Sequence, residues 1–279
     1  MECDINIEYL SNECLIQRAK KDNRDYSHFH PSEWDRCHRQ KAYAYYETKG
    51  IIKKDSESVL IDARLQRLFD NGHFVHARWR SYLESTGAMM GCWECLNYIA
   101  HKEPKIYGQD SKLGILRPDK CECGSDRFSY VEVGYYDEET MWGGHVDAIL
   151  DLEIISSKFK GMTKQSGYII VDFKSINSRN YSSLKEPKPE HITQMQIYLY
   201  LAGLDCGKFV YENKDNQTVK EYVVKRDDVF LEAQKQVAKL LKYRIQNVNS
   251  QGQRVLPPRG YPNKSASECM NCKFKNRCW

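Results

Sequence analysis

Three groups of residues in this sequence carry more chemistry than a fold requires. Asp147 lies in the apolar run GGHVDAIL, and Asp172 and Lys174 stand two apart in IIVDFKS. On a strand, side chains at i and i+2 project from one face, so this acid and lysine share a side while Phe173 points into the core. A charge at the end of an apolar strand is costly unless it is paired or binds a metal. Two carboxylates from neighbouring strands, with one backbone carbonyl, suit a hard divalent cation such as magnesium or manganese. The lysine then orients or helps deprotonate a metal-bound water, or neutralises charge building up on a phosphate. Standing alone, D-x-K is more simply an ordinary ion pair at a strand end, and the preceding G-x-x-D strand brings the two readings level. His145 shares a face with Asp147 but is as readily a filler, and stays outside the site.

The cysteines form the second and third groups. Of eleven, Cys92 and Cys95 make a CxxC, Cys121 and Cys123 a CxC, and Cys269, Cys272 and Cys278 crowd the C-terminus, while Cys3, Cys14, Cys37 and Cys206 stand alone. Cys92, Cys95, Cys121 and Cys123 would form a self-contained four-thiolate site that suits zinc, with His101 able to replace a cysteine. The alternative is a set of free buried thiols. The terminal triplet supplies most of a further site, and its thiolates suit zinc and iron–sulfur clusters equally.

Composition limits what these groups can serve. A chain of 279 residues with 41% hydrophobic content can build a sizeable core, and a net charge of +4 demands no nucleic-acid partner by its field alone. No apolar run approaches the roughly 20 residues of a membrane span, and the N-terminus lacks the order of a signal peptide. An intracellular, cytoplasmic protein is expected, in which clustered cysteines bind metal.

Residue patterns then supply the elements. A helix is expected over Ser32–Tyr46, with Ser32 as N-cap after Pro31 and Gly50 past its end. A second is expected over Glu57–Glu84, with Leu60, Leu65, Leu68, Phe69, Val75 and Leu83 at helical spacing and Gly72 as a kink or divide. Strands follow in RFSYVEVGYY, MWGGHVDAILDLEII and GYIIVDFKSI, then a helix in PEHITQMQIYLYLAGL, the strand pair KFVYEN and TVKEYVVKR, and a long helix over Asp227–Asn247. This order gives an α/β fold with a central mixed β-sheet flanked by helices, interrupted by a cysteine-rich inserted lobe. Basic residues interleaved with aromatics in RCHRQK, HARWR and CKFKNRCW either track a nucleic-acid backbone or form a solvated surface.

Gln194 and Tyr198 share a helix face, and Gly72 and His76 lie ahead of the sheet. The order G-x-x-x-H, G-x-x-D, D-x-K, Q-x-x-x-Y resembles the RecB-like branch of the PD-(D/E)XK nucleases. The cysteine of HPSEWDRCHRQKAYAYY and the terminal C-x2-C-x5-C resemble that branch's iron–sulfur members, among them the CRISPR-associated Cas-four and AddB-type nucleases. The resemblance covers residues 30–279 apart from the lobe. It implies a restriction-endonuclease-like core in which His76, Asp147, Asp172 and the Phe173 carbonyl hold magnesium or manganese. Lys174 is then the catalytic lysine, and Gln194 and Tyr198 line the site. His73 competes with His76, and Gln196 with Tyr200 forms a second pair in another register. The D-x-K acid is aspartate where many relatives carry glutamate.

A structural 4Fe–4S cluster on Cys37, Cys269, Cys272 and Cys278 is implied, with Cys206 the alternative fourth ligand. The expected domains are residues 1–86, an N-terminal helical region; 87–127, the lobe with its zinc; 128–250, the nuclease core; and 251–279, a cysteine clasp. The implied activity is exonucleolytic hydrolysis of DNA, on single-stranded ends, in recombination, repair or CRISPR adaptation, with a possible protein partner. A structure-dependent endonuclease and a non-catalytic DNA-binding adaptor are the alternatives.

Overall fold

The computed structural model describes residues 6–19, 24–53 and 62–279. Cys3 and residues 57–61 of the expected second helix, Leu60 among them, lie outside these. In chain order the elements begin with helices α1 (Ile7–Ala19), α2 (His38–Thr48) and α3 (Ala63–Glu84). Strands β1 (Met89–Cys95), β2 (Ile106–Tyr107), β3 (Ile115–Leu116), β4 (Phe128–Val131), β5 (Val133–Asp137), β6 (Trp142–Val146) and β7 (Ala148–Asp151) follow. Then come α4 (Leu152–Lys158), β8 (Tyr168–Ile176), α5 (Ser178–Ser183), α6 (Pro189–Ala202), β9 (Cys206–Asn213), β10 (Val219–Lys225) and α7 (Asp228–Gln246). Two single-turn helices, α8 (Ser267–Met270) and α9 (Lys275–Cys278), end the chain. No helix among the described residues is long and apolar enough to cross a membrane.

The chain divides into two units. Residues 1–29, 35–74 and 236–279 form one, and residues 30–34 and 75–235 the other. The second holds the mixed sheet, in the order β10-β9-β8-β7-β1-β2, with β3 and β4 also pairing on β1 and a separate hairpin of β5 and β6. Among the described strands only β8 and β9 run parallel, which obliges the chain to cross over between them, and α5 and α6 make that crossover. One sheet face buries Met89, Leu150, Val171, Phe173 and Val210, against which Trp79 and Leu83 of α3 pack. Each fully buried side chain of this kind contributes about 1.5–3 kcal/mol.

Several expectations shift. Pro31–Glu33 is a separate 3-10 turn, and α2 starts only at His38. Ser32 is therefore no helix N-cap, and Cys37 sits at the N-cap position of α2. Trp34 makes the interruption: it is 1% exposed, its indole donates to Gln234 Oε1 at 2.8 Å and its ring meets Trp142 edge-on. Gly72 does not divide α3, which is one unbroken helix. Leu65, Leu68 and Phe69, which mark the helical spacing, are 37%, 41% and 45% exposed. The strand expected to run through Ile155 stops at Asp151, whose carboxylate accepts from the N–H groups of Glu153 and Ile154 at 2.9 and 3.1 Å and so caps α4.

The lobe is rooted in the sheet. Its first segment is β1, whose Met89 and Met90 pair with Leu150 and Ile149 of β7, while Cys92–Cys95 pair with β4. Gly114 (φ +72°) closes the connection that follows by lying on Gly91, where an added Cβ would come within 2.4 Å of the Gly91 carbonyl oxygen.

Candidate active site

The acidic pair is assembled by the place where β6 and β7 part. β7 pairs with β8 in the register Ala148↔Val171, and β6 leaves to pair with β5. Asp147 occupies the break between them, and the same register carried one residue further sets it opposite Asp172. The departure of β6 leaves the Phe173 N–H without a ladder partner, and Asp147 Oδ2 accepts it at 2.8 Å. His76 of α3 approaches the other oxygen, Nδ1 to Oδ1 at 3.2 Å. Alternation along β8 then puts Asp172 and Lys174 on the face opposite Phe173, towards α6. Lys174 Nζ lies 2.7 Å from Asp172 Oδ1 and donates to Gln194 Oε1 at 3.0 Å. Gln194 Nε2 donates to Asp172 Oδ2 at 3.0 Å, closing a ring of three side chains.

Burial sets the charges. It pushes Asp172 up to about 6, with Lys174 opposing the shift and Asp147 adding to it. At Asp147 burial is outweighed: the hydrogen bond and charge of His76, Lys174 and the Phe173 N–H hold the carboxyl below the usual range. His76 is buried enough to resist protonation, yet Asp147 raises it overall. Asp172 is 3% exposed, and its Oδ1 receives no donor in hydrogen-bond geometry although Lys174 stands beside it. A buried carboxylate oxygen left that way fits a metal ligand, as do Asp147, His76 and the Phe173 carbonyl.

One consequence is measurable. Binding of a divalent metal here is expected to weaken about tenfold per pH unit below about pH 6, as Asp172 takes up a proton. A metal affinity that stays flat down to about pH 5 would show that no carboxylate of this kind must ionise.

Tyr198 is 5% exposed, and a Cβ added at Gly144 would lie 3.1 Å from its hydroxyl. Burial and then the charges of Asp172 and Asp147 raise its pKa, so the phenol stays protonated. The second Q-x-x-x-Y pair is committed elsewhere. Gln196 donates to the Lys225 carbonyl at 2.7 Å and accepts from the Asp227 N–H at 2.8 Å, while Tyr200 packs on Trp142. His73 is exposed on α3, unlike His76.

Glu212 was not singled out in the sequence, although an acid in the apolar run KFVYEN raises the same question as Asp172. It is 3% exposed and is held by Arg78, through Nη2 to Oε2 at 2.6 Å, and by the Trp79 indole at 2.7 Å. Trp79 stacks on Phe173 at 5.8 Å, and His76 meets the same ring edge-on at 5.9 Å. Glu212 thereby steadies the helix turn that carries His76. Of the basic cluster HARWR, Arg78 is thus spent on Glu212, and Arg80 pairs with Glu132.

In the other unit Cys37, Cys269, Cys272 and Cys278 line one cavity of about 320 Å³, together with Tyr43 and Trp279. Gly260 closes against it: a Cβ there would lie 3.1 Å from Cys37 Sγ. Arg259 donates to the Cys278 carbonyl at 3.1 and 2.7 Å, and Arg39 to the Pro257 carbonyl at 2.7 Å, tying the tail to α2. Cys206 lies in β9 beside the sheet core instead. The lobe departs from its expected ligand set. Cys95, His101, Cys121 and Cys123 offer ligand atoms within 4.8 Å of one another, and Cys92 is not among them. In a regular strand, residues three apart face opposite ways, so β1 turns Cys92 away from Cys95.

The family profile described as PD-(D/E)XK nuclease superfamily matches residues 36–279. The solved structure of SSO0001 resembles the chain at 16% identity and a TM-score of 0.43, over 85% of this chain and 87% of its own. An alkaline exonuclease, LHK-Exo of Laribacter hongkongensis, matches at 20% identity and a TM-score of 0.33, over 42% of this chain and 56% of its own. The same exonuclease in complex with dAMP matches at 20% identity and a TM-score of 0.32, with the same coverage. Among curated proteins none matches the chain.

Proposed function

The chain belongs to the PD-(D/E)XK nuclease superfamily, and from that premise we propose that it is a divalent-metal-dependent deoxyribonuclease that degrades DNA from its ends, single-stranded ends in particular. The observation that carries the reading is the ring of Asp172, Lys174 and Gln194 set against Asp147 and His76. An adaptor that only bound DNA would have no use for two buried carboxylates and a lysine held at this cost in desolvation.

His76, Asp147, Asp172 and the Phe173 carbonyl would hold magnesium or manganese. The metal supplies Lewis acidity, a water of lowered pKa and charge stabilisation for in-line displacement at phosphorus. The chain's own groups do the rest. Gln194 ties Lys174 to Asp172, so the ammonium is held in one orientation where it offsets the charge gathering on the phosphoryl oxygens. Asp147 holds the backbone of Phe173 and receives His76, which fixes the distance between the strands carrying the two acids. Tyr198, protonated and buried beside Gly144, walls the site.

Preference for ends, and for single strands, rests on the ordered motifs and on the four cysteines shared with the iron–sulfur, RecB-like branch. We assign Cys37, Cys269, Cys272 and Cys278 to a structural 4Fe–4S cluster, for which a common cavity of about 320 Å³ supports a polynuclear group. The test is digestion of four DNAs with magnesium or manganese: linear single-stranded, linear duplex, linear with both ends blocked, and circular. Loss of the free-ended linear strands with the blocked and circular forms spared is the expected result. Cutting of the circular form at a comparable rate would make the enzyme an endonuclease.

A further inference from the structure

The lobe's ligand set differs from the one its cysteine spacing suggests, and its dimensions say what it holds. Cys95 Sγ and Cys123 Sγ are 3.8 Å apart, and Cys121 Sγ and His101 Nε2 are 3.3 Å apart. All four ligand atoms lie within 4.8 Å of one another. A tetrahedral zinc with bonds of about 2.3 Å to sulfur and about 2.0 Å to nitrogen requires edges of about 3.8 Å between sulfurs and about 3.5 Å between sulfur and nitrogen. A cubane cluster spreads its cysteine sulfurs to roughly 6 Å, more than this set allows.

We propose that Cys95, His101, Cys121 and Cys123 form a mononuclear, closed Cys3His zinc site, and that Cys92 takes no part in it. Soft thiolates with one imidazole select zinc over the hard cations suited to the carboxylate site. The outer sphere is built for thiolates. The Tyr107 hydroxyl reaches Cys121 Sγ at 3.2 Å, and the Asn97 amide reaches Cys123 Sγ at 3.6 Å. Such donors offset the excess negative charge of three thiolates on one dication. The turn that carries the paired cysteines is a tight knuckle: Gly124, just after Cys123, adopts φ +83°, its N–H reaches the Cys121 carbonyl at 2.8 Å, and the Cys121 N–H reaches the Ser125 carbonyl at 2.7 Å. With every position filled by protein, the zinc is structural. It fastens the end of β1 to the loop carrying His101 and to the β3–β4 connection. β1 in turn pairs with β7, the strand that follows Asp147.

The inference does not depend on the nuclease reading, and its test reads metal rather than activity. Zinc is measured in the full-length parent and in three variants, Cys92→Ala, His101→Ala and Cys272→Ala, with zinc-edge X-ray absorption on the parent. About one zinc per chain is expected in the parent, with three sulfurs near 2.3 Å and one nitrogen near 2.0 Å. Cys92→Ala and Cys272→Ala should keep that zinc, and His101→Ala should lose most of it after dialysis against a chelator. A parent without zinc, a four-sulfur shell, or zinc lost with Cys92 and kept without His101 would overturn the site. The absorption measurement needs no variant, so failure of His101→Ala to fold leaves the proposal testable. Loss of zinc from Cys272→Ala alone would move the metal to the C-terminal cysteines, and so overturn the lobe site while also counting against the iron–sulfur assignment.

Discussion

Asp172→Asn is expected to lower metal-dependent DNA cleavage by about three orders of magnitude or more, while leaving the protein folded. The asparagine keeps the shape and retains an acceptor for Gln194 Nε2, which now donates to Asp172 at 3.0 Å. What disappears is the charge, and with it the buried carboxylate oxygen that lies 2.7 Å from Lys174 Nζ. Stability should move the other way, and the sign follows from proton uptake. Burial holds Asp172 at about 6 in the folded chain, against an ordinary 3.8. Stability from this group is therefore fully present below pH 3.8 and is lost as the pH rises through about 6. The asparagine variant lacks that loss. At neutral pH its thermal midpoint should equal or exceed the parent's, because Lys174 keeps Gln194 Oε1 at 3.0 Å as a partner. A dead but equally stable variant marks a catalytic group. Activity and stability falling together would mark a structural one.

The second large effect concerns the C-terminal unit. Cys37→Ala should remove the broad visible absorption of the anaerobically purified protein and lower its thermal midpoint by about 10 °C or more. Metal binding at a site absent from the unfolded chain adds directly to folding free energy, and about 1 kcal/mol shifts the midpoint of a chain this size by about 2–4 °C. Cys37 precedes α2, and its partners lie in the last eleven residues, Cys269–Trp279, so losing it frees the tail from the helix. Cys206→Ala is the control. Its thiol packs on the sheet core, and the colour should persist. A Cys37→Ala protein that stays brown, or a Cys206→Ala protein that bleaches, would give the fourth ligand to Cys206.

The grouping of Asp172, Lys174 and Gln194 was legible because these residues obey a local rule. D-x-K on a strand must share a face, and Q-x-x-x-Y on a helix must share another, whatever the rest of the chain does. The partnership of Asp147 with the Phe173 N–H was hidden, since it follows from β6 leaving the sheet one residue too early to pair. Glu212 was hidden for a similar reason: its partners, Arg78 and Trp79, lie more than a hundred residues away in α3. In the lobe, CxxC suggested a knuckle, but MMGCWEC is a strand buried along much of both faces. The period of two then separates Cys92 from Cys95. His101, in the loop between β1 and β2, was weighed in the sequence as a replacement for a cysteine, and it takes the corner that Cys92 leaves. The break between Pro31 and α2 depends on burying Trp34 against Trp142 and Gln234, a tertiary gain that overrides helix propensity in SEWDRCHRQ.

On this account Asp147, at the break before β7, and Asp172 and Lys174 of β8 cut DNA with a divalent metal. Single-turnover cleavage of an end-labelled linear strand tests it most directly, with enzyme in excess, first in a chelator and then with manganese or magnesium restored. The expected result is no product in chelator, rapid release of short products on adding metal, and none from Asp172→Asn under either condition. Product formed at the parent's rate in chelator, or by the asparagine variant after metal is restored, would contradict it.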